Sequence, residues 1–307
     1  MQGWVRQQLE RAYQRYLLQE INSMPTHVAI IQDGNRRFAK QAGEGTSTGH
    51  RKGAETAEQL LHWCNDLGIE EVTLYAFSTE NFHRPEDEKE KIFDLLEEKL
   101  REFADDERIH EEETCIRVIG DRTKLPRRVR KAIDYAESRT EAYGRFRLNV
   151  AVAYGGRNQL LDAAKDITRA VKESDLAPED IDVAEIERRL YDRPVRDVDL
   201  IIRTGGDERT SNFLPWHANG NEAAVFFCTP YWPEFRKIDF LRAIRTYENR
   251  EQSWRRHKAR RALTLLTALS EVELGEARRI IRHFKKYLPR SDRHAVHEVQ
   301  QEAEPAD

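Results

Sequence analysis

His27-Val-Ala-Ile-Ile-Gln-Asp-Gly-Asn-Arg-Arg37 joins a short β-branched apolar run to a turn that holds one acid, one glycine and two cations. A run of that length and composition, bounded by turn residues, reads as a strand buried on both faces of a parallel sheet. Similar runs recur downstream, at 72–77, 116–119, 148–153, 200–202 and 224–227, with 28–31 as the first of six. Helical patterns lie between them. Residues 55–63 carry Ala57, Leu60 and Leu61 on one face, with Gly68 as a stop signal. Residues 88–103 carry Ile92, Phe93, Leu95, Leu96 and Leu100, and 160–171 follow a Gly-Gly turn. Strands alternating with helical crossovers predict an α/β fold, a mostly parallel six-stranded sheet covered by helices on both faces.

The flanks differ in texture. Residues 1–24 place Val5, Leu9, Ala12, Tyr16 and Leu17 at helical spacing among arginines, an amphipathic helix that Pro25 ends. The catalytic domain is expected over 25–250, an Arg-rich helical extension over 251–288, and a disordered tail over 289–307, where little is available to bury.

Composition narrows the function. The 307 residues carry 51 Lys+Arg against 55 Asp+Glu, a formal net charge of -4, which argues against a general nucleic-acid binder and makes any anion site local. Cys64, Cys115 and Cys228 have no metal-ligand spacing and fit a reducing cytoplasm as ordinary buried thiols. No apolar run reaches the roughly 20 residues that span a bilayer.

In an open parallel sheet, ligands bind beyond the carboxyl ends of the strands. Those positions hold Gln32 to Arg37, Ser78 to Pro85, Tyr154 to Asn158 and Arg203 to Asn212. Four loops on one rim thus offer glycines, whose backbone N–H groups can approach an anion, and the guanidinium groups of Arg36, Arg37, Arg84, Arg157, Arg203 and Arg209. That combination suits more than one phosphate group. Asp33 among the cations suits a Mg²⁺ that bridges phosphate oxygens, with Glu222 as a second acid. Walker-type and dinucleotide-binding glycine loops are missing, as is the aspartate-rich motif of trans-prenyltransferases.

The segments from His27 to Lys40, Gly49-His50, Leu74 to Phe82 with Arg84-Pro85, Tyr154-Gly-Gly-Arg157 and Ile202 to Phe213 together resemble the undecaprenyl diphosphate synthase family of cis-prenyltransferases. The resemblance runs in order from about Pro25 to Arg250, and its wording is nearest to archaeal members. It implies a Mg²⁺-dependent transferase that adds isopentenyl diphosphate repeatedly to an allylic prenyl diphosphate, geranylgeranyl diphosphate in archaeal members, to make a glycosyl carrier lipid precursor. It also implies a cytoplasmic homodimer, with no nucleic-acid partner, that touches a membrane through its lipid product. By the same resemblance Asp33 is the catalytic, metal-binding acid, and Gly34, Asn35, Arg36, Arg37 and His50 cradle the allylic diphosphate. Asn81 assists proton removal, with Ser78, Thr79 and Glu80 leading into it. Arg84, Arg203, Arg209, Thr210 and Ser211 belong to the isopentenyl diphosphate clamp, Phe38 and Phe82 supply an aromatic wall, and Glu222 is the second metal acid. Thr46 and Glu208 depart from the bacterial pattern, which has an arginine and a histidine there.

The growing chain needs an apolar channel, expected between the sheet and the 92–100 helix face. Regular alternation would put Ala76 on one strand face with Leu74 and Ser78, opposite Tyr75 and Phe77, so that Ala76 borders this channel.

Overall fold

The computed structural model describes residues 2–191, 195–218 and 223–267. All six apolar runs are strands, and their order along the chain is α1 (Gln2–Glu20), β1 (His27–Ile31), α2 (Asn35–Gln41), α3 (Thr46–Asp66), β2 (Glu71–Ser78), α4 (Glu86–Asp105), α5 (Glu107–Glu111), β3 (Thr114–Ile119), α6 (Arg127–Thr140), β4 (Phe146–Tyr154), α7 (Gly156–Lys172), α8 (Val183–Leu190), β5 (Leu200–Arg203), β6 (Ala224–Phe227) and α9 (Lys237–Thr267). Every residue of β1 and β5 is buried, so these strands show an unbroken apolar run rather than alternation.

The strands form one sheet in the order β3-β4-β2-β1-β5-β6, with every pair parallel. From β1 the chain crosses to β2 on one side, while β5 lies on the other. The connections therefore diverge at the β1/β5 junction, the kind of switch point where a crevice opens beyond the strand ends. The chain divides into one compact unit up to Arg245 and another from Thr246 onward, with residues of α9 in both. The sheet lies in the first.

The helices depart from the sequence reading in instructive ways. α3 begins nine residues before the expected 55 because its first turns, Thr46 to Gly53, are polar and glycine-containing and so carry no apolar stripe. α6 and α8 were not anticipated. α6 earns its place at the sheet edge: Thr140 Oγ1 accepts the outward N–H of Ile116 (3.1 Å) and Glu137 Oε1 that of Val118 (2.8 Å), which blunts the free edge of β3. α1 buries Leu17 fully but leaves Leu9 and Tyr16 exposed, and it stops at Glu20, ahead of Pro25. Residues 268–307, which include most of the expected extension and the whole tail, lie outside the described residues.

β2 breaks the alternation assumed for Ala76. Tyr75 pairs with Ala151 and Phe77 with Val152, so Ala76 is an extra residue in a β-bulge. Ala151 and Val152 are consecutive and face opposite ways, hence so do Tyr75 and Phe77. Tyr75 accordingly stacks on Phe213 (4.4 Å between centroids), whereas Phe77 meets Phe82 and Phe93 (5.0 and 5.2 Å). The expectation that Tyr75 and Phe77 share a face is overturned.

At the opposite end of the sheet, polar side chains are buried together. His27 Nδ1 faces the carbonyl of Arg196 (2.9 Å), which can only accept, so this nitrogen carries the proton. Nε2 then accepts from the Thr73 hydroxyl (2.8 Å). Asn149 Nδ2 donates one hydrogen to Thr73 Oγ1 (3.1 Å) and the other to Glu71 Oε1 (2.7 Å). Asp199 Oδ2 accepts the backbone N–H groups of Thr26 and His27 (2.6 and 2.9 Å), fixing where β1 starts.

Candidate active site

Asp33 sits two residues beyond β1, and Arg203 closes β5, so the switch point itself brings acid and cation together. Arg203 Nη2 donates to Asp33 Oδ2 (2.7 Å) and to Asp207 Oδ2 (3.1 Å), while its Nη1 donates to Ser211 Oγ (2.5 Å) and the Arg209 carbonyl (2.7 Å). Arg37 Nη2 lies 3.1 Å from Asp33 Oδ1, and Arg209 Nη2 lies 3.0 Å from Asp207 Oδ2. Thr204 Oγ1 accepts the Asp33 N–H (3.1 Å) and donates to the Asp33 carbonyl (2.7 Å). Burial alone would raise the Asp33 pKa, but hydrogen bonds and charge from Arg203 and Arg37 outweigh it and hold the carboxyl below its ordinary value. Asp33 is thus an ionised acid within a cluster of three arginines.

A second cluster forms around Glu88 at the start of α4. Its Oε1 accepts from Arg84 Nη1 (2.9 Å) and lies 3.6 Å from His50 Nε2 and 3.9 Å from Arg36 Nε. Burial, then the charge of Arg84, push the His50 pKa down to about 4, so its imidazole is neutral near pH 7. Burial and the neighbouring Arg36 lower the pKa of Arg84. Three cationic or hydrogen-bonding groups thus share one carboxylate, which leaves them receptive to a further anion.

Unmet polar atoms mark the same region. Asn35 Oδ1, His50 Nε2 and Arg203 Nε are buried without a hydrogen-bond partner. Buried groups are ordinarily paired, so atoms of this kind are those a ligand or water can complete.

The glycines do other work than expected. The amides of Gly156, Gly205 and Gly206 donate to the carbonyls of Asn212 (3.0 Å), Pro230 (2.7 Å) and Cys228 (2.9 Å). Their N–H groups are therefore committed to the fold, and the reading in which they cradle an anion is corrected. Gly155 and Gly156 allow close packing instead: a Cβ would lie 2.6 Å from Thr79 Oγ1 and 2.1 Å from Pro215 Cδ, respectively. Arg157 has an exposed side chain, and its backbone N–H is bound by Asn212 Oδ1 (2.8 Å).

The other sequence candidates divide. Gly34 caps α2 with a φ of 107°, a left-handed conformation that glycine adopts freely. Asn81 Oδ1 accepts the Ser78 N–H (3.0 Å), which locks the turn through Thr79 and Glu80. Phe82 joins Phe77 and Phe93, whereas Phe38 lies beside Lys52 Nζ (5.1 Å). Arg84, read as a clamp residue, contacts the Glu88 cluster. Thr210 and Glu80 are exposed. Glu222 lies outside the described residues. The sequence reading missed Thr204, Asp207 and Glu88. Glu88 hides in the run Glu86-Asp87-Glu88, and burial alone separates it from its exposed neighbours.

A cavity of about 480 Å³ opens farther along the rim, beyond β3 and β4, and includes Thr79 in its wall. Arg122 and Lys124 in its wall are paired with Glu137 (2.5 Å) and Asp121 (3.1 Å), and neither Asp33 nor His50 lines it. Size alone does not make it the reactive site.

The prospective metal has one clear ligand here. Asp33 offers a hard, ionised carboxylate, which fits Mg²⁺ arriving with phosphate oxygens. Among the described residues no group of three or more acids, histidines and cysteines could hold a metal.

Comparison with known proteins agrees with this geometry. Residues 31–255 match the prenyltransferase family model described as "Putative undecaprenyl diphosphate synthase". A Halobacterium salinarum protein named tritrans,polycis-undecaprenyl-diphosphate synthase (geranylgeranyl-diphosphate specific) is 63% identical over 277 residues, 90% of this chain and 91% of that protein. A protein of the same name from Haloarcula marismortui is 59% identical over 94% of both chains. Among solved structures, lavandulyl diphosphate synthase from Lavandula x intermedia, in complex with dimethylallyl diphosphate, is 33% identical with a TM-score of 0.69, covering 73% of this chain and 95% of that one. Sequence likeness of this extent, joined to a parallel sheet shared with a solved relative, makes the chain a prenyltransferase belonging to the undecaprenyl diphosphate synthase family.

Proposed function

We propose that the chain condenses isopentenyl diphosphate repeatedly onto geranylgeranyl diphosphate, in the cis configuration, to give a long polyprenyl diphosphate that precedes a glycosyl carrier lipid. The archaeal relatives bear that primer in their names. The observation that carries the reading is the pair of cation clusters on one rim, each now occupied by carboxylates where a diphosphate would compete.

The allylic diphosphate takes the Arg36, Arg84 and His50 cluster, beside Gly34, Asn35 and Arg37. Isopentenyl diphosphate takes Arg203, Arg209 and Ser211, with Thr210 in the same loop. Holding both substrates by their charged ends turns a bimolecular encounter into an oriented one. Ionisation of the allylic substrate places new negative charge on the departing diphosphate, and arginines already aimed there stabilise it without reorganising. Asp33, with Glu222, would hold Mg²⁺, which when bound offsets that leaving-group charge as a Lewis acid. Asn81 is not basic near neutral pH, so it orients the alkene unit that loses a proton. The growing chain passes along α4, where Leu95 and Leu96 are only half-buried beside the buried Ile92, Phe93 and Leu100.

The same reading carries a cytoplasmic homodimer that meets a membrane surface through its product. No helix among the described residues is long and apolar enough to cross a membrane.

The test is turnover of labelled isopentenyl diphosphate with geranylgeranyl diphosphate and Mg²⁺. Asp33→Ala should keep its fold and lose roughly 10²- to 10³-fold or more in kcat, the scale seen when a transition-state charge loses a preorganised partner. Near-normal turnover would remove Asp33 from the reaction.

A further inference from the structure

We propose that Trp232 is a positioning residue that sets the height of α3, and with it His50, over the Asp33 loop. The inference rests on the reading of His50 as part of the allylic diphosphate site.

The segment that follows β6 backs the reactive loops. The Gly206 and Gly205 amides end on the carbonyls of Cys228 and Pro230, and the Trp232 N–H donates to the carbonyl of Asp33 itself (3.0 Å). The Tyr231 ring packs under Gly34, where a Cβ would come within 2.7 Å of it, and carries the Arg37 guanidinium over its face at 5.3 Å. This segment is therefore joined to both the β1 and β5 loops by backbone bonds.

Trp232 adds the helix. Its side chain is fully buried, and its Nε1–H donates to the carbonyl of Gly53 (2.7 Å). Gly53 is well inside α3, not at its end, so this bond ties the helix body rather than satisfying a terminal carbonyl.

The contact has no slack. Gly49 and Gly53 lie one turn apart on α3. A Cβ on Gly49 would stand 2.1 Å from the Asn35 carbonyl oxygen. A Cβ on Gly53 would stand 2.4 Å from Asn35 Oδ1 and 2.9 Å from Trp232 Cδ1. The helix backbone therefore rests directly on Asn35 and on the indole. His50 is the residue after Gly49, so any lift of α3 at this joint moves its imidazole away from the Arg84 and Glu88 groups it faces. One residue, through its backbone and side-chain N–H groups, fixes the distance between the acid loop and the helix of the allylic site.

Trp232→Phe keeps an aromatic ring against Phe235 while removing the Nε1–H together with part of the buried indole. Because misplacement by an ångström can cost up to about 100-fold, a partial lift should raise the KM for the allylic primer about 10-fold while the KM for isopentenyl diphosphate stays within about twofold. Gly53→Ala pushes the same joint from the helix side and should give the same split, which covers the case of a poorly folding Trp232 variant. Both are assayed well below their melting temperatures. A lowered melting temperature with both KM values unchanged, or both raised equally, would reduce Trp232 to a packing residue and overturn the proposal. His50→Ala is the control: if it leaves the primer KM unmoved, the assignment of the allylic site fails, and the proposal falls with it.

Discussion

The two ends of the sheet both bury polar side chains, yet they bury them differently. At the amino end, His27, Thr73, Asn149 and Glu71 form a chain in which each donor has an acceptor and the tautomer of His27 is fixed. At the carboxyl end, cations outnumber the acids around them, and Asn35 Oδ1, His50 Nε2 and Arg203 Nε have no partner. A network closed on its own donors holds a structure together; one that leaves groups unmet, with surplus positive charge, is completed by something else. The amino end also retains unmet acceptors, among them Glu71 Oε2 and Asn149 Oδ1, and Arg147 Nη1 stands 3.8 Å from that Glu71 oxygen. The contrast is thus one between a network linked through its own donors and acceptors and a rim with surplus cations, and substitutions at the two ends should separate catalysis from stability.

The largest kinetic separation is expected at Arg209, which is exposed and holds only Asp207. Arg209→Ala removes a charge-assisted bond to isopentenyl diphosphate, worth about 1.5–3 kcal/mol or roughly 10- to 100-fold in the KM of that substrate. The primer KM should stay within about twofold and the melting temperature should not move. Equal effects on both substrates would merge the two clusters into one site.

Asn149→Leu makes the opposite test. It strands Glu71 Oε1 and breaks the link to Thr73, all fully buried, so unfolding in urea should show a loss of about 1–3 kcal/mol. Steady-state constants of the folded enzyme should be unchanged. A selective change in either KM would mean that the amino end reaches the site after all.

How far the sequence discloses each end follows from where its information lies. The carboxyl-end residues are contiguous in loops, Asp33 to Arg37 and Arg203 to Ser211, and a loop dense in arginine and glycine stands out against apolar strands. The amino-end residues are single letters at strand starts, His27, Glu71, Thr73 and Asn149, and only the parallel register that sets His27 beside Glu71 and Thr73 beside Asn149 brings them together. Glu88 and Ala76 show the limit from another side. Charge runs do not reveal which acid is buried, and period-two reasoning cannot see a bulge that depends on the partner strand.

The ends are alike in one respect, because each buries a neutral histidine. Burial lowers the His27 pKa, and burial with the Arg84 charge lowers that of His50 to about 4. Below about pH 6.5 the unfolded chain binds protons that the folded chain does not, so stability is full above that pH and is lost as pH falls, by up to ~1.4 kcal/mol per unit for each histidine. For His50 the loss runs from about pH 6.5 to about 4. Asp33 acts lower: its depressed pKa adds stability above pH 3.8 that disappears as the carboxyl protonates. Urea midpoints between pH 7.5 and 5 should fall in the parent enzyme and fall less steeply in His50→Gln. Identical slopes would mean that His50 is not held neutral by the fold.

The smallest expected effect distinguishes the two histidines directly. His27 faces Thr73 and a carbonyl in a closed network, so no ligand at the rim should alter its charge. His50 is neutral partly because Arg84 repels its proton, and a diphosphate bound among Arg36, Arg84 and His50 would reverse that balance by supplying negative charge at the unmet Nε2. An anion beside an imidazole favours its charged form, so the pKa of His50 must rise on binding. At pH 6, where the free enzyme holds this ring almost wholly unprotonated, binding should therefore take up part of a proton, and at pH 8 it should take up none. Calorimetric titration of inorganic diphosphate in two buffers of different ionisation enthalpy measures that uptake after correction for the ligand's own protonation. The enzyme-linked uptake at pH 6 should be well below one proton and should vanish in His50→Ala but persist in Asn149→Leu, whose perturbation lies at the other end of the sheet. Uptake that survives the loss of His50 would place the linked proton on another group and detach the histidine from the diphosphate.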